Sequence, residues 1–333
     1  MKIDFKHRHS AHCESGVSSN LLFHYGVNIS EAMAFGIGGG IFFGYLPFIK
    51  VNKLPLTTFR CEVGGIFKRL NKKLGVDVYW QKFRNQEKAM DALDRSLEEG
   101  IPVGCRTGGY WLPYFPSAFR FHFNMHNLIV FGKEGDEYLI SDPVFPEPVV
   151  CHRKDLIKAR FAKGALAPKG TMYYLNNVPE KIDFAPAIIK GIKGSCRRML
   201  KTPGPIIGVK GIRFLANRLE KWPKKLGKRK AILHLVQLIR MQEELGTGGG
   251  GFRFMYAAFL QEAAGILKEN RLLDLSKKMT SAGDRWRDFA VIGSRNCKNR
   301  AAKSDSFEAM ADILRDCANR ETEIYQELME VVH

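Results

Sequence analysis

The feature that most constrains the fold is an apolar, turn, apolar pattern at residues 126–143. His126-Asn127-Leu128-Ile129-Val130-Phe131 runs into Gly132-Lys133-Glu134-Gly135-Asp136 and returns through Tyr138-Leu139-Ile140-Ser141-Asp142-Pro143. Two apolar runs joined by turn formers predict an antiparallel hairpin. With its loop centred near Glu134, His126 falls opposite Asp142 or Pro143. Directly opposed residues point to one face with Cβ atoms roughly 5 Å apart. Asp142 can then hold the imidazole in one tautomer. Asn127 faces away from His126 if the strand is regular.

A nucleophile for that pair stands near the start of the chain. Val17, Leu21, Leu22 and Tyr25 recur at helical spacing, Ser10 can cap the helix, and Gly26 stops it. Cys13 therefore lies in the first turn, where free N–H groups and the helix dipole favour an anion and hence a thiolate. A free cysteine in such a place can also be a small buried hydrophobe. Together with His126 as base and Asp142 as its orienting carboxylate, Cys13 points to acyl chemistry through a thioester.

The rest of the N-terminal half alternates between helix and strand. Residues 63–74 and 86–99 read as helices. Residues 76–80, 101–105, 149–151 and 173–175 read as strands. Helices followed by an antiparallel sheet predict an α+β domain. Residues 32–49 carry no charge but contain five glycines and Pro47, which fits a buried glycine-rich loop near the active site better than a membrane span. The stretch 183–230, with Pro186, Pro203, Pro205 and Pro223, reads as a basic connection. Beyond it the pattern is helical, over about 253–268, 284–292 and 307–331. The division expected is a catalytic domain at 1–180, a connecting segment at 181–230 and a helical domain at 231–333. The run Gly248–Gly251 reads as a hinge whose N–H groups are also able to hold an anion.

The net charge of +18 is local. Residues 190–230 hold fourteen basic side chains against Glu220 alone. Such a field favours an acidic partner, nucleic acid, or, with the interleaved Ile192, Phe214, Leu215 and Trp222, a membrane face. The seven cysteines form no CxxC pair, which argues against a zinc site or redox dithiol and fits a reducing compartment. The first residues, Lys2, Asp4, Lys6, His7 and Arg8, hold no apolar signal region. A cytoplasmic location is expected.

Several segments in order resemble the butirosin biosynthesis protein H family, and more broadly papain-like cysteine peptidases of the bacteriocin-processing kind. They are His12-Cys13-Glu14 with Asn20-Leu21-Leu22, the stretch Ser30 to Gly40, Tyr110-Trp111-Leu112-Pro113-Tyr114, and Gly246 to Arg253 continuing to Phe259–Ala264. The resemblance implies a papain-like fold, with a cysteine-bearing helix packed on an antiparallel sheet and an additional helical C-terminal region. It implies an acyltransferase that takes an acyl or aminoacyl group from the phosphopantetheine of an acyl-carrier protein to an amine or hydroxyl of a small-molecule acceptor. No metal or further cofactor is called for. Cys13 would accept the acyl group, His126 shuttle protons and Asp142 orient His126. His12, Glu14, Tyr110, Trp111, Tyr114 and Arg253 are the candidates for lining the substrate site, and the acidic carrier would dock on 190–230. Papain-like peptidases place a glutamine shortly before the cysteine. None stands in His7-Arg8-His9-Ser10-Ala11-His12, so the oxyanion donors fall to backbone N–H groups near Cys13 or to one of these histidines. A cysteine peptidase or amidase with the same three residues is the second reading, and a non-catalytic protein binding nucleic acid or anionic lipid the third.

Overall fold

A computed structural model describes the chain except for residues 52, 118, 119, 121, 123, 245 and 333. It divides into two compact units, one of residues 1–34 and 66–182, the other of residues 35–65 and 183–333.

The first unit is the α+β part. Its sheet has six antiparallel strands in the order β3 (Asp77–Gln81), β8 (Met172–Asn177), β4 (Val103–Thr107), β5 (His126–Glu134), β6 (Glu137–Ser141) and β7 (Val149–His152). Period-two alternation sorts the strand residues by face. Leu128 and Val130 of β5 join Val103 and Cys105 of β4 in a core closed by Met90, Leu93 and Leu97 of α4 (Gln86–Glu98). Asn127, of the opposite parity in the same strand, turns instead to α1 (Cys13–His24). Every residue of α1 from Cys13 to Leu22 is buried. Small and hydrogen-bonded residues make that possible: Ser18 and Ser19 donate to the Glu14 and Gly16 carbonyls, and Asn20 to that of Arg8. A Cβ on Gly16 would lie 2.7 Å from Cβ of Pro143, so glycine is what lets the Asp142-Pro143 segment lie against the helix. This is the expected arrangement of a cysteine-bearing helix packed on an antiparallel sheet.

The hairpin of β5 and β6 exists, with a different register. Its turn is Gly135-Asp136, and a bulge follows Val130, so the ladder ends at Ile129 opposite Ser141. His126 and Asp142 are thus not opposed rungs. Asp142 lies just past the strand, and its side chain reaches back.

The second unit holds the hairpin β1 (Ile41–Val51) and β2 (Leu54–Arg60), then, among the described residues, the α-helices α6 (Phe184–Lys201), α7 (Gly208–Leu219), α8 (Trp222–Leu226), α9 (Lys228–Glu243), α10 (Arg253–Leu267), α11 (Arg271–Cys297) and α12 (Phe307–Val331). The glycine-rich loop expected at 32–49 is α2 (Glu31–Ile37), a turn at Gly39 (φ +62°) and β1. The expected connecting segment at 181–230 is helical, and the boundaries 1–180 and 231–333 are not those of the compact units. Its prolines do not break these helices, because Pro186 and Pro223 stand in first turns, where the missing N–H has no partner to lose. Pro203 and Pro205 lie between α6 and α7. Gly248–Gly251 is a loop of left-handed residues, and it already holds an anion of its own: Gly250 N–H donates to the Glu243 carboxylate. Among the described residues no helix is long and apolar enough to cross a membrane.

Candidate active site

Three elements of the first unit converge on Cys13. It is the first residue of α1, capped by the preceding His12. The helix thus sets the positive end of its dipole beside the thiol. His126 opens β5 and forms the last rung of the β4 ladder, opposite Thr107. Asp142 follows β6 and is fully buried.

His126 Nε2 donates to Asp142 Oδ2 at 2.6 Å. That leaves Nδ1 for the thiol. Burial pulls the imidazole pKa down, but the Asp142 charge, its hydrogen bond and the hydrogen-bonded Cys13 outweigh it and raise the value to about 10. The ring is therefore an imidazolium at neutral pH. Phe115 stands edge-on to it, with centroids 5.1 Å apart.

Asp142 is held by more than the histidine. Tyr114 donates its hydroxyl to the same Oδ2 at 2.9 Å, and Val144 N–H donates to Oδ1. Burial and then the Asp142 charge push the Tyr114 phenol well above its ordinary pKa, so it stays a donor. His7 bonds Ser141 Oγ and the Phe145 carbonyl, and Ser10 N–H donates to the Pro143 carbonyl. The carboxylate is anchored from both sides.

Asn127 is the residue that sequence reasoning missed. The phenol of fully buried Tyr173 donates to Asn127 Oδ1 at 2.9 Å. That fixes the amide with Nδ2 toward Cys13 Sγ, 3.9 Å away. The alternation that turns Asn127 from the α4 face was the available signal. What could not be read was that α1 lies on the opposite face.

Most of the proposed lining residues have other work. His12 accepts the Ser15 N–H on Nδ1 and donates its own backbone N–H to Glu31, so its ring is a helix cap. Glu14 is buried, and its Oε1 accepts N–H bonds from Ile66 and Phe67 in the first turn of α3 (Gly65–Leu74). Its carboxylate caps that helix. Tyr114 holds Asp142 rather than a ligand. Arg253 belongs to the other unit, where it is fully buried and bidentate to Glu321 at 2.9 Å and 2.9 Å. Ser10 is not the cap of α1. Tyr110 and Trp111 alone remain open, 39% and 38% exposed, and with Pro113, Arg120 and Asp155 they line a cavity of about 250 Å³. Among the described residues no group of three or more His, Cys, Asp or Glu is placed to hold a metal ion.

Residues 12–143 match the family described as butirosin biosynthesis protein H, N-terminal. Residues 154–328 match the family described as domain of unknown function DUF4872. Among curated proteins nothing matches the chain. Among solved structures, a protein from Bacillus anthracis called a C39-like peptidase is similar over 54% of this chain and 100% of its own, with 14% identity and a TM-score of 0.38.

Proposed function

The chain belongs to the DUF4872 family, joined to an N-terminal region of the butirosin biosynthesis protein H type, and from that premise we propose that it is a cysteine-dependent acyltransferase. The observation that carries the reading is the His126–Asp142 pair beside a helix-borne Cys13.

The donor is a thioester on the phosphopantetheine of an acyl-carrier protein. Cys13 Sγ attacks its carbonyl carbon. The Cys13 backbone N–H and Asn127 Nδ2 stabilise the oxyanion. The bond to the carrier sulfur breaks, and the His126 imidazolium gives that sulfur its proton. An acceptor amine or hydroxyl then attacks the acyl-enzyme and yields its proton to His126, and Cys13 leaves as thiolate. Asp142 holds the ring through both halves, and Tyr114 holds Asp142. The exposed Tyr110 and Trp111 wall the side on which the acyl group or the acceptor lies.

Two observations favour transfer over peptide hydrolysis. The region holding Cys13 and His126 matches the family model of a biosynthetic protein. Cys13 and His126 are only 7% and 5% exposed, which limits access of bulk water to the acyl-enzyme. The test is the fate of the acyl group when wild-type protein meets acyl-carrier-protein thioesters with and without an added amine. The amide is expected to form in preference to the free acid, and not at all with Cys13→Ala. Free acid as the main product at saturating amine would make the protein a hydrolase.

A further inference from the structure

A second surface, in the other unit, has a composition of its own. From residue 40 to 61 and again from 221 to 241 the sequence has no aspartate or glutamate. The first stretch is the β1–β2 hairpin. The second is α8 and most of α9. The two are neighbours: half-buried His234 of α9 is held below its ordinary pKa by burial and then by the charge of Lys50 at the hairpin tip, and its ring meets Trp222 of α8 edge-on at 5.3 Å. Trp222 in turn lies 6.5 Å from Tyr45 of β1.

Two kinds of side chain are exposed around this junction. Lys50, Lys53, Lys221, Lys224, Lys225, Lys228, Arg229 and Lys230 are all exposed. Among the described residues none of them makes an ion pair. The nearest carboxylate in sequence, Glu220, is taken by Arg315 at 2.5 Å. Set among these cations are apolar side chains in water: Phe48 at 69% exposure, Ile49 at 42%, Leu233 at 48% and Val236 at 42%.

We propose that the β1–β2 hairpin tip, α8 and the start of α9 form a docking surface for the anionic headgroup face of a lipid bilayer. Phe48 and Ile49 enter the boundary between headgroups and acyl chains, and the surrounding lysines meet the lipid phosphates. Apolar side chains ringed by lysine are the composition of an interfacial segment. Nucleic acid offers Phe48 and Ile49 no apolar phase. Nucleic-acid sites also favour the planar fork of arginine. Here seven of the eight cations are lysine. An acidic protein would satisfy the charge, and it is the competitor in the test. The docking is peripheral, and it stands whether or not Cys13 carries an acyl group.

The experiment is co-sedimentation of the full chain with vesicles of phosphatidylcholine alone and of phosphatidylcholine with phosphatidylglycerol. Wild type is expected to sediment with the second and not the first. Lys228→Glu with Arg229→Glu and Lys230→Glu is expected to weaken binding about tenfold or more. Phe48→Ser with Ile49→Ser is expected to weaken it about fivefold, leaving a remainder that salt abolishes. Far-UV circular dichroism checks that both exposed-site variants fold. Failure of wild type to bind phosphatidylglycerol vesicles would overturn the proposal. So would a tip variant that binds like wild type, or displacement of the vesicles by duplex DNA or by an acidic acyl-carrier protein.

Discussion

A buried ion pair stands in each unit, His126–Asp142 in the first and Arg253–Glu321 in the second, and the two differ in what is left over. Arg253 and Glu321 satisfy each other: Nε and Nη2 meet the two carboxylate oxygens, Nη1 goes to the Gly251 carbonyl, and Trp286 Nε1–H completes Glu321 at 2.7 Å. Phe59 and Trp286 cover the guanidinium at 5.7 and 5.0 Å. The Cys317 thiol near that pair is held well above its ordinary pKa by burial and then by the Glu321 charge. His126 and Asp142 are buried too, but the carboxylate uses only one ring nitrogen and leaves the other for the Cys13 thiol at a helix N-terminus. Burial and charge are therefore poor guides to chemistry by themselves. The distinguishing mark is a polar atom that the fold positions without consuming.

That contrast can be broken by mutation. The largest effect belongs to Asp142→Asn, which should cut acyl transfer about 10²- to 10⁴-fold by freeing the tautomer and the imidazolium. It should also change the pH response. His126 has a raised pKa, so its charge stabilises the fold fully below the ordinary value of 6.5, and that contribution is lost as pH rises through about 10. In Asp142→Asn the alkaline limb of Cys13 reactivity should move down from about 10, read from rate against pH. Glu321→Ala should act in the opposite currency. It strands a buried guanidinium at a cost of about 3–5 kcal/mol, read as a lower melting temperature, while Cys13 in the folded fraction keeps its alkylation rate. Asn127→Ala should lower kcat about 10- to 100-fold with little loss of stability, on the scale of one lost oxyanion donor. Tyr173→Phe should reproduce part of that loss, because the amide is then free to rotate. Tyr114→Phe should cost least, about 1 kcal/mol, since Asp142 keeps its other partners.

The sequence held the reactive set because each member sits on a short, local signal. Glycine at 26 and apolar spacing placed the α1 helix, and two apolar runs around a turn placed the hairpin. The His126–Asp142 pairing was legible even though its register was not. A bulge after Val130 and a turn at Gly135-Asp136 shift the rungs, and a one-residue bulge leaves no mark on an apolar run. What stayed hidden depends on contacts distant in sequence. Glu14 looked like a site residue beside Cys13, yet its partners are 52 and 53 residues away. His12 reads as a ligand until Ser15 and Glu31 are seen around it. Arg253 stood among the candidates for lining the substrate site because its partner Glu321 lies 68 residues on. The same distance hid α6 and α7 behind prolines that occupy first turns and the link between helices.

The most direct test of the account is alkylation of the seven cysteines with iodoacetamide at neutral pH, read by peptide mass spectrometry in wild type and Asp142→Asn. Burial pushes the Cys105, Cys151, Cys196, Cys297 and Cys317 thiols upward. Rapid label on Cys13, slowed by Asp142→Asn, is the result expected. Cys13 labelled no faster than half-buried Cys297, or equally fast in both proteins, would contradict a thiol activated by His126 and Asp142.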